Sequence, residues 1–307
     1  MNNGKFIRQI GKKGNGPGEY LIIFDFVVIS DTIFISSTGK RSLIKYSVNG
    51  DFIEEFPTPG QHKMSWFSIT PEKVFVSYNG LQNGKLYLFN KYLTKVDTVT
   101  IDYNAPKDSA PYMLADTYDY TFQNGGEKRF LFTNYMSDTV WYIHNCKKKI
   151  GYILNLGDKL LPEKYRYERL KGDFDRFMKV AIPYQKIKLL ETPSFLFLFQ
   201  KGWTEQNVNS IYVHDLAENT TLKYETSYIF DDLVGKQNLV PRYTSNNCIL
   251  ATINPIELKK ELKNKRDYAK TGEDTPSPAW VEQINKVKED DNQILVIMPV
   301  RNKTLKK

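Results

Sequence analysis

Short runs of alternating apolar and polar residues recur along this chain, each ending in a polar pair or triplet before another run follows. They begin at Ser42 (SLIKYSVNGDF), Lys85 (KLYLFNKYLTK), Thr139 (TVWYIHNCKKK) and Ser210 (SIYVHDLAENT). A period of two puts every second side chain on one face of a sheet, so each run reads as a half-buried strand. An apolar strand is expected ahead of each run, at Thr32–Ser36, Lys73–Ser77, Arg129–Thr133 and Phe195–Phe199. A hairpin is expected after each, leading to Phe52–Phe56, Val96–Ile101, Lys149–Leu156 and Leu222–Ile229. Strand units repeated every ~40–50 residues are the pattern of propellers and arrays. The units draw apart along the chain while their strands keep their length, so the added residues fall in the connections. The longest of these, Asp158–Pro183, is expected to hold one or two short helices, and loops of this kind are where propellers usually meet ligands.

A fifth unit is split. Tyr243–Ile253 reads as one more strand pair, after which Asn254 and Pro255 occupy the N-cap and first position of a helix with Ile256, Leu258 and Leu262 on roughly one face. Ser277-Pro278 opens a second helix, with Trp280, Ile284 and Val287 at helical spacing. Both helices are expected to pack on the sheets instead of forming a partner groove. The sequence EDDNQILVIMPVRNK from Glu289 closes the chain with a strand. The expected fold is therefore all-β, a single β-propeller domain of four-stranded blades over residues 1–307, with a helical insertion at about 255–290 and about five units visible.

At the other end, Gly4–Tyr20 (GKFIRQIGKKGNGPGEY) predicts an amphipathic strand through Phe6, Ile7 and Ile10 and then a turn. Gly11, Gly14, Gly16, Pro17 and Gly18 crowd that turn so densely that no helix survives there. Glu19 is expected to accept backbone hydrogen bonds within it. The segment resembles the strand-to-strand connection of a six-bladed β-propeller family of Bacteroides-type bacteria with NHL-like repeats, many of them lipoproteins. The closing strand resembles the family's C-terminal signature, with Gln293 where the family has proline.

That resemblance implies a non-catalytic binding or scaffold protein of the cell envelope, whether periplasmic or a lipoprotein of the outer membrane. It also implies a signal peptide with a lipidation cysteine and about one blade of strands ahead of GKFIRQIG. Met1-Asn2-Asn3 leads straight into that segment, so taken literally the chain reads as cytoplasmic, and the expectation is that the true start lies upstream. If the chain instead starts at Met1, Lys5–Ile10 is expected to pair with Ile294–Val300 or to leave both edges short of partners, and an unpaired sheet edge invites association.

Composition supports the β reading, because 20 Tyr and 18 Phe suit pleated, half-buried surfaces. The formal charge of +8 invites a polyanion such as nucleic acid, lipopolysaccharide or an anionic glycan. The lysines are scattered, however, and no RRM, KH, zinc-finger or helix-turn-helix pattern accompanies them, so nucleic acid is not expected as a partner. Cys146 and Cys248 stand far apart without metal-ligand spacing and read as small, buried or half-buried thiols. No apolar run of about 18 residues predicts a transmembrane helix.

Tests for chemistry return little. The glycine-rich loop Gly11–Gly18 precedes a strand and lacks Gly-Lys-Ser/Thr, so it is no phosphate cradle. His144 and His214 take corresponding places in successive units and His62 lies in a loop, so the three are not expected to converge on a metal. Glu19, Asp25, Asp119 and Glu191 near inner-strand starts form no recognisable acid pair. No GxSxG or HExxH appears. Neither a cofactor nor a metal site is signalled, although propellers of the lactonase or lyase type hold a metal by channel carboxylates, and such an enzyme is the alternative reading. What remains is a loop face expected to present Tyr20, Arg41, Trp66, Tyr135, Trp203 and Arg242. Aromatic rings beside arginine suit a glycan, peptide or envelope-protein ligand.

Overall fold

The computed structural model describes residues 8–29, 31–37, 39–57, 66–69, 75–78, 85–90, 94–100, 123–125, 129–133, 138–144, 147–165, 174–203, 210–226, 228–230, 238–245, 247–260, 286–288 and 293–300. The chain forms two compact units, Met1–Ala181 and Ile182–Lys307.

In the first unit β1 (Lys12–Lys13) and β2 (Glu19–Tyr20) pair in parallel across the glycine turn. Three antiparallel meanders follow, each with its strands neighbouring in chain order. The first is β3 (Ile23–Ile29), β4 (Thr32–Ser37), β5 (Ser42–Ser47) and β6 (Phe52–Pro57). The second is β7 (Trp66–Ile69), β8 (Phe75–Tyr78), β9 (Lys85–Phe89) and β10 (Lys95–Thr100). The third is β11 (Gln123–Gly125), β12 (Arg129–Thr133), β13 (Thr139–His144) and β14 (Lys147–Ile153). The long connection carries 3₁₀ turns at Gly157–Lys159 and Glu163–Tyr165 and the helix α1 (Phe174–Ala181), whose Phe177 and Ala181 are fully buried.

The second unit opens with a fourth meander, β15 (Gln185–Glu191), β16 (Phe195–Gly202), β17 (Ser210–Asp215) and β18 (Thr220–Tyr224). The short hairpin β19 (Ile229–Phe230) and β20 (Asn238–Leu239) comes next. The last sheet joins β21 (Tyr243–Ser245), β22 (Cys248–Ile253) and β23 (Ile294–Pro299). A four-stranded antiparallel meander is a propeller blade, and the fold is of the all-β propeller class.

Local chemistry explains why the polar ends of the alternating runs become hairpins. After β5, the Ser47 hydroxyl accepts from the backbone N–H groups of Asn49 and Asp51, while Gly50 takes φ 90°. After β17, the Asp215 carboxylate accepts from the N–H groups of Ala217 and Glu218, and Asn219 takes φ 51°. Serine and aspartate are serving as turn formers here, and glycine and asparagine tolerate the left-handed region. Gly151 has a packing reason instead: it is the extra residue of a bulge opposite Val140 and Trp141, and a Cβ there would lie 2.2 Å from the ring of buried Tyr142.

The expected strands appear in the described segments with ends shifted by a few residues, and the short helices of the 158–183 connection are present. One element differs. Arg8–Ile10 is not a strand; it lies beside the β5–β6 hairpin, with the Arg8 guanidinium donating to Asn49 O and the Gln9 amide to Gly11 O. Gly11 at φ 63° turns the chain directly after Ile10, and among the described residues the first paired are Lys12 and Lys13. The predicted pairing of Lys5–Ile10 with the closing strand involves residues 5–7, which lie outside the described residues, as does most of the second predicted helix. Residues 255–260 form the first helix, capped by Asn254, whose side-chain oxygen accepts from Ile256 N at 3.0 Å.

Candidate functional site

In the first unit, chemistry concentrates where the glycine turn meets the first blade. Lys40 sits in the β4–β5 turn with its side chain 12% exposed. Its ammonium donates to Gly16 O, Glu19 O and Glu55 Oε2, each at 2.9 Å. Glu55, on β6, also accepts from Gly18 N at 3.2 Å. Glu19 accepts from Gly16 N at 2.8 Å and pairs with the exposed Lys12 at 2.9 Å. Tyr46 completes the arrangement from below, its buried hydroxyl donating to Gly18 O. Gly18 stands at φ 67°, and a Cβ there would meet the Phe52 ring at 2.6 Å, so a glycine is required on both counts. The turn is a polar latch: backbone groups of the loop find partners in Lys40, Tyr46 and Glu55 of one blade, while the Glu19 carboxylate pairs within the loop.

Electrostatics follow from this geometry. Lys12 and the Gly16 N–H hold the Glu19 carboxyl below its ordinary value. Burial pushes Glu55 up, but its hydrogen bonds, that from Lys40 foremost, together with the Lys40 charge outweigh it and the carboxyl is lowered. Burial raises the Tyr46 phenol, with Tyr20, Glu55 and Glu19 adding to the effect. Because both carboxyls titrate below their unfolded value of 4.5, their contribution is complete above that pH and is lost as pH falls through the folded values. Stability of the wild-type chain should therefore decline below about pH 4.5, and denaturant midpoints measured from pH 6 downward will show it; a flat profile would contradict the latch.

Two of the sequence-predicted residues flank this latch. Tyr20 directly follows Glu19 and is half-buried, and Arg41 directly follows Lys40 and is exposed at φ 54°. The bond from the Lys40 ammonium to Glu19 O ties the two turns to each other. Trp66 begins β7, where it pairs with Tyr78; Tyr135 lies outside the described residues.

In the second unit two lysines that composition alone did not single out stand beside Trp203 and next to Arg242 in turn. Lys186 and Lys188 occupy alternate positions on β15 and so share a face. The Lys186 ammonium lies 5.0 Å from the centroid of the Trp203 ring, within range of a cation–π contact. Lys188 donates to Pro241 O at 3.3 Å, next to the exposed Arg242. Further along the same face Leu190 is wholly buried with Phe197, Phe199, Ile211 and Ile249. The two half-buried lysines thus stand on the same face as a buried apolar cluster, which Ile249 of the three-stranded sheet joins.

A family description, Domain of unknown function (DUF4934), matches residues 1–299. The chain belongs to the DUF4934 family. No curated protein matches it. Among solved structures, this DUF4934 chain is similar to a protein of Bacteroides fragilis described as exported, with 18% identity over 96% of this chain and 82% of that one and a TM-score of 0.70. A member of the DUF4221 family from Bacteroides vulgatus shares 11% identity over 81% of this chain and 78% of that one, TM-score 0.48. Virginiamycin B lyase from Staphylococcus aureus shares 14% over 74% and 61%, TM-score 0.40.

Other sequence candidates fall as follows in this DUF4934 chain. His214 lies on β17 with Nδ1 2.9 Å from Thr221 Oγ1, and His144 ends β13. His62, Asp119 and Cys146 lie outside the described residues. Glu191 is buried at the end of β15, and Cys248 is a half-buried free thiol. Among the described residues no three His, Cys, Asp or Glu side chains gather as metal ligands, and no helix is long and apolar enough to cross a membrane.

Proposed function

We propose that the chain is a non-catalytic, ligand-binding propeller of the bacterial cell envelope, recognising a glycan or peptide. The observation that carries this reading is the face of β15 in the second unit, where Lys186 lies over the Trp203 ring and Lys188, two positions on, donates to Pro241 O next to the exposed Arg242. An indole and two held cations beside a buried apolar cluster supply the few oriented polar groups of a recognition site. Export of the similar Bacteroides fragilis protein supports the envelope location. The six-bladed, single-domain, lipoprotein form implied by the resemblance belongs to the same proposal.

The test is a screen of the purified chain against immobilised envelope glycans and peptides, repeated with Trp203→Ala and Arg242→Ala. Binding that falls tenfold or more in each variant, with the circular dichroism spectrum retained, is the expected result. Binding indifferent to both substitutions would overturn it, and release of the ligand in chemically altered form would turn the reading to an enzyme.

A further inference from the structure

The last sheet ends on a strand unlike the others. Each four-stranded meander ends on a strand that carries charge: Glu54 and Glu55 on β6, Lys95 and Asp97 on β10, Lys147, Lys148 and Lys149 on β14, and Lys223 on β18. Such charges keep other chains from pairing with an exposed edge. β23, with the sequence ILVIMP, carries none. It stands third in its sheet, the place where β5, β9, β13 and β17 are each covered by a fourth strand, and among the described residues no strand pairs with its outer side.

The ladder fixes which groups that side presents. Cys248 pairs with Pro299, and one residue further Val300 N donates to Asn247 O while the Asn247 amide donates to Val300 O. Antiparallel bonding alternates along a strand, so Ile294, Val296 and Met298 bond to β22, and Leu295 and Ile297 aim their N–H and C=O groups outward. Pro299 agrees with this phase, because its missing N–H falls on the outer side, where proline is tolerated. The Leu295 and Ile297 side chains share one face and are 56% and 58% exposed, while Ile294, Val296 and Met298 pack toward the core on the other.

Charge beyond the strand selects what can pair there. Glu289, Asp290 and Asp291 precede β23 in sequence, and Arg301 and Lys303 follow it. A second copy running antiparallel about a two-fold axis at Val296 sets Leu295 opposite Ile297 of that copy, and Ile297 opposite its Leu295. That register joins the outward backbone groups and covers the exposed side chains together. Continued outward, it also sets Asp291 opposite Arg301 and Glu289 opposite Lys303, acid against base at both ends. One surface is thus its own complement, as an isologous contact requires.

We propose that β23 pairs with β23 of a second copy of this chain, joining the two three-stranded sheets into one across a two-fold axis. Sedimentation of the full chain over a range of concentrations should show a monomer–dimer equilibrium. Ile297→Pro removes one outward N–H and leaves the bonds to β22 in place, so it should weaken association tenfold or more with the circular dichroism spectrum retained. Charge exchange tests the register independently, with substitutions that lie outside the strand and decide the matter even where the proline variant fails to fold. Asp291→Lys and Arg301→Glu should each weaken association severalfold, because like charges then meet at both ends. An equimolar mixture of these two variants should associate as tightly as wild type, since opposite charges meet again in the mixed dimer. A role confined to one chain gives no such recovery. A strictly monomeric wild-type chain overturns the proposal, as does association that survives Ile297→Pro in a folded protein or that the mixture fails to restore.

Discussion

Replacing Tyr46 by alanine is expected to destabilise the first unit by about 3–5 kcal/mol, the usual cost of deleting a buried aromatic ring. Tyr46 is 1% exposed and belongs to the cluster of Ile35 and Ile44, with Ile10, Tyr20 and Ile33 packed against it. Its ring stands edge-on to Phe52 at a centroid distance of 6.2 Å, and so close to Gly11 that a Cβ there would lie 2.9 Å from Cζ. The alanine variant therefore opens a cavity under the glycine turn and also removes the donor to Gly18 O. Tyr46→Phe separates the two effects: the ring stays, a buried carbonyl loses its partner, and the cost should be about 1–3 kcal/mol. At roughly 2–4 °C per kcal/mol for a body of this size, thermal unfolding will resolve the variants. Equal midpoints for phenylalanine and wild type would show that the hydroxyl contact contributes nothing, and a small loss in the alanine variant would mean that Tyr46 is not part of the core.

The blades were legible because their signal is local. SLIKYS and SIYVHD read as strands from their short apolar runs, and the sheets bury them more fully than alternation alone implied: adjacent Leu43 and Ile44, on opposite faces of β5, are both at 0% exposure, and Ile211 is at 4%. The hairpins were legible because Asn49-Gly50 and the Asp215 turn carry their own chemistry. Arg8–Ile10 was misread as strand because apolar residues there pack on the first blade, Ile10 against Tyr46, without entering a ladder. Alternation reports burial; it does not report a pairing partner.

The candidate sites were less legible, since they depend on contacts distant in sequence. Lys40 reaches Gly16 and Glu19 from one side and Glu55 from the other, and no spacing in the chain announces such a meeting. Trp203 and Arg242 could be named as residue types, but the contacts of Lys186 with the Trp203 ring and of Lys188 with Pro241 O could not. A trace of that signal was present in QKIKLLE, where two lysines take the face that Leu190 later buries. A basic pair on the inward face of a strand is a local inconsistency of the kind that functional sites create.

The latch offers the second large effect. Lys40→Met keeps the length and apolar stem of the side chain and removes its charge, so the loss should come from the three abandoned acceptors and not from packing. Gly16 O and Glu19 O lose a donor, and Glu55 keeps its Gly18 contact but loses the ammonium at 2.8 Å. Breaking a largely buried pair on one side leaves an uncompensated charge, and with partial access to water the expected cost is about 2–4 kcal/mol. The acid response supplies an independent signature. With Lys40 present, Glu55 is held below 4.5, and stability falls as pH drops through its folded value. Without the ammonium, burial acts on Glu55 with much less opposition, so the variant should lose less on acidification and the gap to wild type should narrow below about pH 4.5. Lys12→Met is the control: its side chain is 73% exposed, and an exposed pair contributes about 0–1 kcal/mol. Denaturant midpoints of the three proteins from pH 3 to pH 7 decide the matter. A Lys40 variant no less stable than the Lys12 control, or one whose deficit stays constant across that range, would show that the glycine turn is held on its blade by Tyr46 and packing alone.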